Sequence, residues 1–84
     1  MVNFYRVIEM EMTFGEKIKL LRESRELTQT QLGKAVNMTQ RKVSYIEKGT
    51  YEPGLSDICS FCRFFNISAD YLLGLPQSMN YPKR

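Results

Sequence analysis

TQTQLGKAVNMTQRKVSYIEK, residues 28 to 48, is the stretch that decides how this chain folds. Thr28 with Gln31 three residues later is a capping box, so a helix is expected to start at Gln29. Leu32, Ala35 and Val36 form its inward stripe at helical spacing. Asn37 is one of the few residues besides glycine that accept a left-handed backbone, so it can end that helix and turn the chain. Thr39 can then cap a second helix whose inward residues are Val43 and Ile46. Gly33 carries no side chain that would hold the two helices apart. The result is two short helices joined by a tight turn, the second with a polar, basic outer face.

The flanks extend this pattern. Thr13 and Glu16 make another capping box, after which Phe14, Ile18, Leu21 and Arg25 recur on one face and Leu27 closes the stripe. Gly49 is a natural stop, and TYEPG at 50 to 54 reads as a loop. A fourth helix is expected from about Leu55 to Phe65, with Leu55, Ile58, Phe61, Cys62 and Phe65 facing inward. Asn66 breaks it, and Ser68 caps a short fifth helix that ends at Gly74. In residues 1 to 12, Val2, Phe4, Ile8, Met10 and Met12 alternate in a way that favours a β-strand arm, interrupted by Arg6. The spacing of Phe4, Ile8 and Met12 leaves a helical extension open. Residues 76 to 84 read as a loose tail. The division expected is therefore an arm (1–12), an all-α five-helix domain (13–75) and a tail (76–84).

Composition narrows the function. With 84 residues the chain has room for one modest core, and a dimer would be unsurprising. No apolar run is long enough to span a bilayer and no signal-peptide layout opens the sequence, so a cytoplasmic protein is expected. Histidine is absent, which removes the commonest general base and metal ligand. Cys59 and Cys62 form a C-x-x-C, but they fall within an amphipathic helical pattern and no further Cys or His accompanies them. They read as buried core cysteines, since free cysteine behaves as a small hydrophobe. No catalytic residue, metal site or cofactor is expected. Net charge is +3, and its distribution is the useful part. Residues 13 to 50 hold eight Lys or Arg against four Glu, a local excess of +4, while the flanks sum to −1. The basic excess coincides with the helix pair, as an electrostatic footprint for nucleic acid would.

Helix geometry sorts residues 40 to 48. At about 100° per residue, and with Val43 facing the core, Ile46 and Glu47 fall near the core side while Arg41, Tyr45 and Lys48 lie opposite. Ser44 lies between, and Gln40 sits in the first turn. Arg41 can bond guanine O6 and N7, and Gln40 can bond adenine N6 and N7. Tyr45 offers its ring to a thymine methyl or its hydroxyl to a phosphate. Gln40, Arg41, Ser44 and Tyr45 are the expected base contacts; Lys42 and Lys48 are expected to meet phosphates.

LTQTQLGKAV, the IEKG that ends the third helix, the Pro53 loop and ISADYLLG together resemble the lambda-repressor/Cro family of helix-turn-helix proteins, over about residues 14 to 75. Gly33 replaces the family's usual small alanine and Asn37 its turn glycine, both sterically acceptable exchanges. The resemblance implies a compact lambda-repressor-like DNA-binding domain with residues 40 to 48 as recognition helix. It implies a phosphate contact for Gln29 at the positive end of its helix, with Thr39, Thr50 and Tyr51 as further phosphate contacts at the rim. It also implies that Glu47 pairs with Arg22. The function expected is a transcriptional regulator, a repressor binding a palindromic operator in double-stranded DNA as a homodimer. The rival is an antitoxin or other protein-interaction module on the same fold, which co-purification with a protein partner would distinguish.

Overall fold

The computed structural model describes residues 12–75, and within them the chain forms five helices: α1 Phe14–Ser24, α2 Gln29–Val36, α3 Gln40–Lys48, α4 Leu55–Phe65 and α5 Ala69–Leu73. No strand occurs among the described residues. The expected strand arm (1–11 of the 1–12 segment) and the tail (76–84) lie outside them.

Each helix is bounded by its own sequence. Thr13 Oγ1 accepts from the Glu16 amide and Glu16 returns a carboxylate to the Thr13 amide; Thr28 and Gln31 do the same at α2. The Thr13 amide, and secondarily its hydroxyl, hold the Glu16 carboxyl below its ordinary pKa. Thr39 and Ser68 cap α3 and α5, and Asp57 reaches back to the Gly54 amide at the start of α4. All five helices end in the left-handed region, at Glu26, Asn37, Gly49, Asn66 and Gly74. After α1, α3 and α5 the chain closes with the paired i+3 and i+5 amide bonds of a Schellman motif, as in Glu26 to Glu23 and Leu27 to Arg22.

The helices close around Ile18, Leu32, Val36, Val43, Ile46, Phe61, Phe65 and Leu72, all buried. α3 packs on α2 and α1, α4 on α2, and α5 on α1 and α4. Phe61 anchors the centre, with Phe14 edge-on at 6.1 Å and Phe65 stacked at 6.5 Å.

Four expectations about facing are corrected. Leu55 is 84% exposed: it is the first residue of α4, and the core-facing arc of that helix centres on Phe61 and Phe65. Cys59 lies nearly opposite Phe61 and is exposed, so it is not a core cysteine, while Cys62, at the edge of the arc, is half-buried and packs against the core as expected. Ala35 is exposed, because α2 turns Leu32, Val36 and Gly33 inward and leaves Ala35 on the rim of an open groove against α4. Arg25, counted in the apolar stripe, keeps its charge at the surface. Its guanidinium lies over the rings of Phe64 and Phe65 and donates to both their carbonyls, closing the C-terminal end of α4.

Glu26 is the residue among these five turns with least reason to be left-handed, at φ 57°. An L-residue there carries a steric penalty that asparagine tolerates better. Glu26→Asn is therefore expected to raise stability by up to about 1 kcal/mol. Urea unfolding checks this, and a midpoint that fell or stayed put would show the turn to be unstrained.

Candidate nucleic-acid interface

The recognition surface begins with what α3 hides. Val43 and Ile46 are buried, and so is Glu47. That leaves Gln40, Arg41, Tyr45 and Lys48 exposed and Ser44 half-buried. Arg41 Nε donates to Tyr45 Oη at 3.0 Å, with the guanidinium 5.8 Å from the ring centroid, so these two residues form one outward pair. Thr39 and Thr50 flank the helix. Thr39 Oγ1 accepts from the Lys42 amide, and Thr50 Oγ1 donates to the Tyr45 carbonyl. Both hydroxyls are thus engaged in holding backbone, and both residues stay exposed.

Lys42 is placed differently from an open phosphate ligand. Its Nζ lies 3.0 Å from Asp57 Oδ1 and 5.2 Å from the ring centroid of the exposed Tyr51. The hydrogen bond to Asp57 raises the Lys42 pKa, so its proton is held more firmly. Asp57 serves twice, since its other oxygen caps α4.

Beneath the surface, Arg22 of α1 grips Glu47 with two hydrogen bonds, Nε to Oε2 at 2.7 Å and Nη2 to Oε1 at 3.1 Å. Their side chains are 12% and 3% exposed. The bond to Glu47 raises the Arg22 pKa against the opposing effect of burial. Arg22 Nη1 also donates to the Leu27 carbonyl, pinning the turn before α2. Gln29 Nε2 donates to Glu47 Oε1 at 3.1 Å, and Gln40 Nε2 donates to Gln29 Oε1 at 2.7 Å. A continuous hydrogen-bonded chain therefore runs from Arg22 through Glu47 and Gln29 to Gln40, crossing α1, α3 and α2 before returning to α3.

Three supporting residues carry roles beyond those expected from the sequence. Gly15 lies against the end of α3, where a Cβ would collide with the carbonyl oxygens of Ile46 and Glu47. A glycine in the first turn of a helix, unfavourable by propensity, was the available signal. Lys17 is 3% exposed; its Nζ donates to the Tyr71 carbonyl at 2.7 Å and lies over the Tyr71 ring. That cation satisfies the C-terminal end of α5 and docks it to α1. Its sequence signal was a lysine within the Phe14–Ile18–Leu21 stripe. Asp57 was legible from its spacing after Gly54. Gly33 has a narrower role than clearance between helices: a Cβ there would meet the Met38 carbonyl at 2.5 Å, so it makes room for the turn backbone.

Burial of α3 on one side, a polar outward face and two preceding helices that brace it are the geometry of a helix-turn-helix. The helix-turn-helix domain family matches residues 13–72. The chain belongs to this family, in its lambda-repressor/Cro-like branch. It is 33% identical over 63 residues to the immunity repressor protein of Bacillus phage phi105, covering 75% of this chain and 44% of that protein. It is 32% identical over 62 residues to the HTH-type transcriptional activator BcrR of Enterococcus faecalis, covering 74% of this chain and 30% of that one. The chain thus spans less than half the length of either relative. Among solved structures, the P22 c2 repressor in complex with a synthetic operator superimposes with a TM-score of 0.70 at 29% identity, over 74% of this chain and 94% of that one.

Losing one member of the Arg22–Glu47 pair would leave a charge stranded in a nearly dry site. Glu47→Ala or Arg22→Ala is expected to lower stability by about 3–5 kcal/mol. The double substitution is expected to lower it by clearly less than the sum of the two single effects. Denaturant unfolding of all four proteins measures the coupling, and strict additivity would mean that the pair contributes nothing as a pair.

Proposed function

We propose that this protein is a sequence-specific regulator of transcription that binds double-stranded DNA, acting as a repressor on a palindromic operator as a homodimer. The observation that carries the proposal is the two-sidedness of α3: Val43, Ile46 and Glu47 are withdrawn while Arg41, Tyr45 and Lys48 project together. A helix presented in this way fits the major groove, with residues near its N-terminus at base edges. Gln40, Arg41, Ser44 and Tyr45 contact bases. Gln29, Thr39, Lys48, Thr50 and Tyr51 contact phosphates, and Lys42 joins them if Asp57 releases it or shares it. Phosphate contacts position the domain and base contacts select the site.

Internal bonding reduces the cationic footprint. Of the eight basic residues between 13 and 50, Lys17, Arg22, Arg25 and Lys42 are each bonded to a carbonyl or a carboxylate within the fold. Arg41 and Lys48 carry the charge of the face itself. Dimerisation draws on the exposed apolar residues Leu55, Leu73 and Leu75 and on residues 1–12, with 76–84 as tail. No helix among the described residues is long and apolar enough to cross a membrane, and action on DNA makes the cytoplasm the place of work. Repression needs only occupancy of the site, and the likeness to a phage immunity repressor supports that sign of regulation. An antitoxin or other protein-binding role would use those same leucines, and tight co-purification with a protein partner would favour it.

Titration of a selected operator across a salt series tests the proposal. The logarithm of affinity is expected to fall linearly with that of salt concentration, by about 0.9 per phosphate contact. A salt-independent affinity would exclude DNA as the ligand of this face.

Arg41→Ala is expected to weaken specific binding by about 1–3 kcal/mol and to relax preference at one guanine. Lys48→Ala should weaken all sequences alike. Uniform loss in both, measured against a panel of single-base operator variants, would make Arg41 a phosphate contact.

A further inference from the structure

We propose that Asp57 keeps Lys42 from the DNA backbone, so that the two meet DNA as a neutral pair and Asp57 sets the strength with which the face binds any sequence. The inference rests on the DNA-binding reading above and makes Asp57 a positioning residue on α4, a helix that carries none of the expected contacts. At about 100° per residue, Lys42 falls between the buried Ile46 and the outward Tyr45, on the flank of α3 where a phosphate-binding lysine would stand. Its ammonium is nevertheless engaged within the fold. Nζ donates to Asp57 Oδ1 at 3.0 Å and lies 5.2 Å from the ring centroid of Tyr51.

Asp57 holds the cation from a fixed place. Its second oxygen accepts from the Gly54 amide at 3.2 Å, and it stands in the first turn of α4, where the helix dipole favours an anion. The Lys42 side chain is 31% exposed and that of Asp57 only 13%. Were Lys42 to swing out to a phosphate, an enclosed carboxylate would lose its counter-charge just as a second anion arrived. A phosphate approaching the closed pair instead meets a positive and a negative charge 3.0 Å apart. Such a pair neutralises no phosphate and displaces no counterion, so it adds nothing to the salt dependence of binding. Lys48, exposed in the last turn of α3, is the contrasting lysine that does count.

Salt titration on a short duplex of mixed sequence tests this, because phosphate contacts carry no sequence information. Failure of the unaltered protein to bind that duplex at low salt would defeat the DNA-binding reading itself, and this inference with it. Where it binds, Lys48→Met marks the size of one contact, as a slope of log affinity against log salt that is shallower by about 0.9. Asp57→Asn keeps an oxygen for the Gly54 amide and releases Lys42. It is expected to bind more tightly than the unaltered protein, with a slope steeper by about 0.9, so that its advantage shrinks about three- to fourfold between about 50 and 200 mM salt. Combining Lys42→Met with Asp57→Asn replaces the pair by two neutral side chains of similar length, and the slope is expected to match that of the unaltered protein. A merely structural role would change affinity by one factor at every salt concentration and leave the slopes alone. Urea unfolding checks that each variant folds; if Asp57→Asn alone does not, the double variant carries the test. A double variant with a slope as shallow as that of Lys48→Met would make Lys42 a phosphate contact and overturn the proposal. A slope unchanged by Asp57→Asn would overturn it as well.

Discussion

The contact between Arg22 and Glu47 is the joint on which the recognition surface depends. Two hydrogen bonds fix the angle between α1 and α3 as one apolar contact could not, because a guanidinium and a carboxylate meet in a restricted plane. A buried ion pair is weak evidence for net stability, since desolvation opposes attraction. Its value here is geometric. It withdraws the acidic side chain of a helix whose outer face is basic, and it supplies the acceptor against which Gln29 and then Gln40 are oriented. Gly15 completes the joint by letting the first turn of α1 approach the last carbonyls of α3, where the partial charges of the two helix ends are opposite in sign.

Half of the basic residues between 13 and 50 are structural. Lys17 closes α5, Arg25 closes α4, Arg22 holds Glu47, and Lys42 joins α3 to Asp57 at the start of α4. Four cations that a sequence count assigns to a basic surface thus satisfy helix-end carbonyls and carboxylates within the fold. A small core gains from this, because long side chains also cover apolar surface with their stems, as Arg25 does over Phe64 and Phe65. The face presented by α3 is consequently chemically sparse. Arg41 stacked with Tyr45, the end of Gln40 and the ammonium of Lys48 define it.

The cysteines show how periodicity can mislead. Cys59 and Cys62 lie in a helix that is strongly amphipathic, and membership in that helix suggested burial. Burial depends on angle about the helix axis, and Cys59 falls on the far side from Phe61. Cys62 remains half-buried, and its thiol is pushed up in pKa by burial and then by its neighbour Cys59, which makes it a poorer nucleophile. Among the described residues no group of three or more His, Cys, Asp or Glu is placed to hold a metal.

Local chemistry was legible in the sequence because it acts over three or four residues. Thr13 with Glu16, Thr28 with Gln31, Thr39, Ser68, Asn37, Gly49, Asn66 and Gly74 announced eight of the ten helix boundaries, since caps and left-handed turns satisfy backbone groups near them in the chain; the end of α1, closed by a left-handed Glu26, carried no such signal. The outward set of α3 followed from the same regularity once Val43 was taken as core. What the sequence left open were relations between residues far apart. Nothing near Gly15 specifies that the end of α3 will arrive against it, and nothing near Lys17 specifies a carbonyl 54 residues on. Nor does the order of residues say which way the amides of Gln29 and Gln40 turn. Those were decided by tertiary packing, because a donor or a cavity acquires its meaning only from the group that the fold brings opposite it.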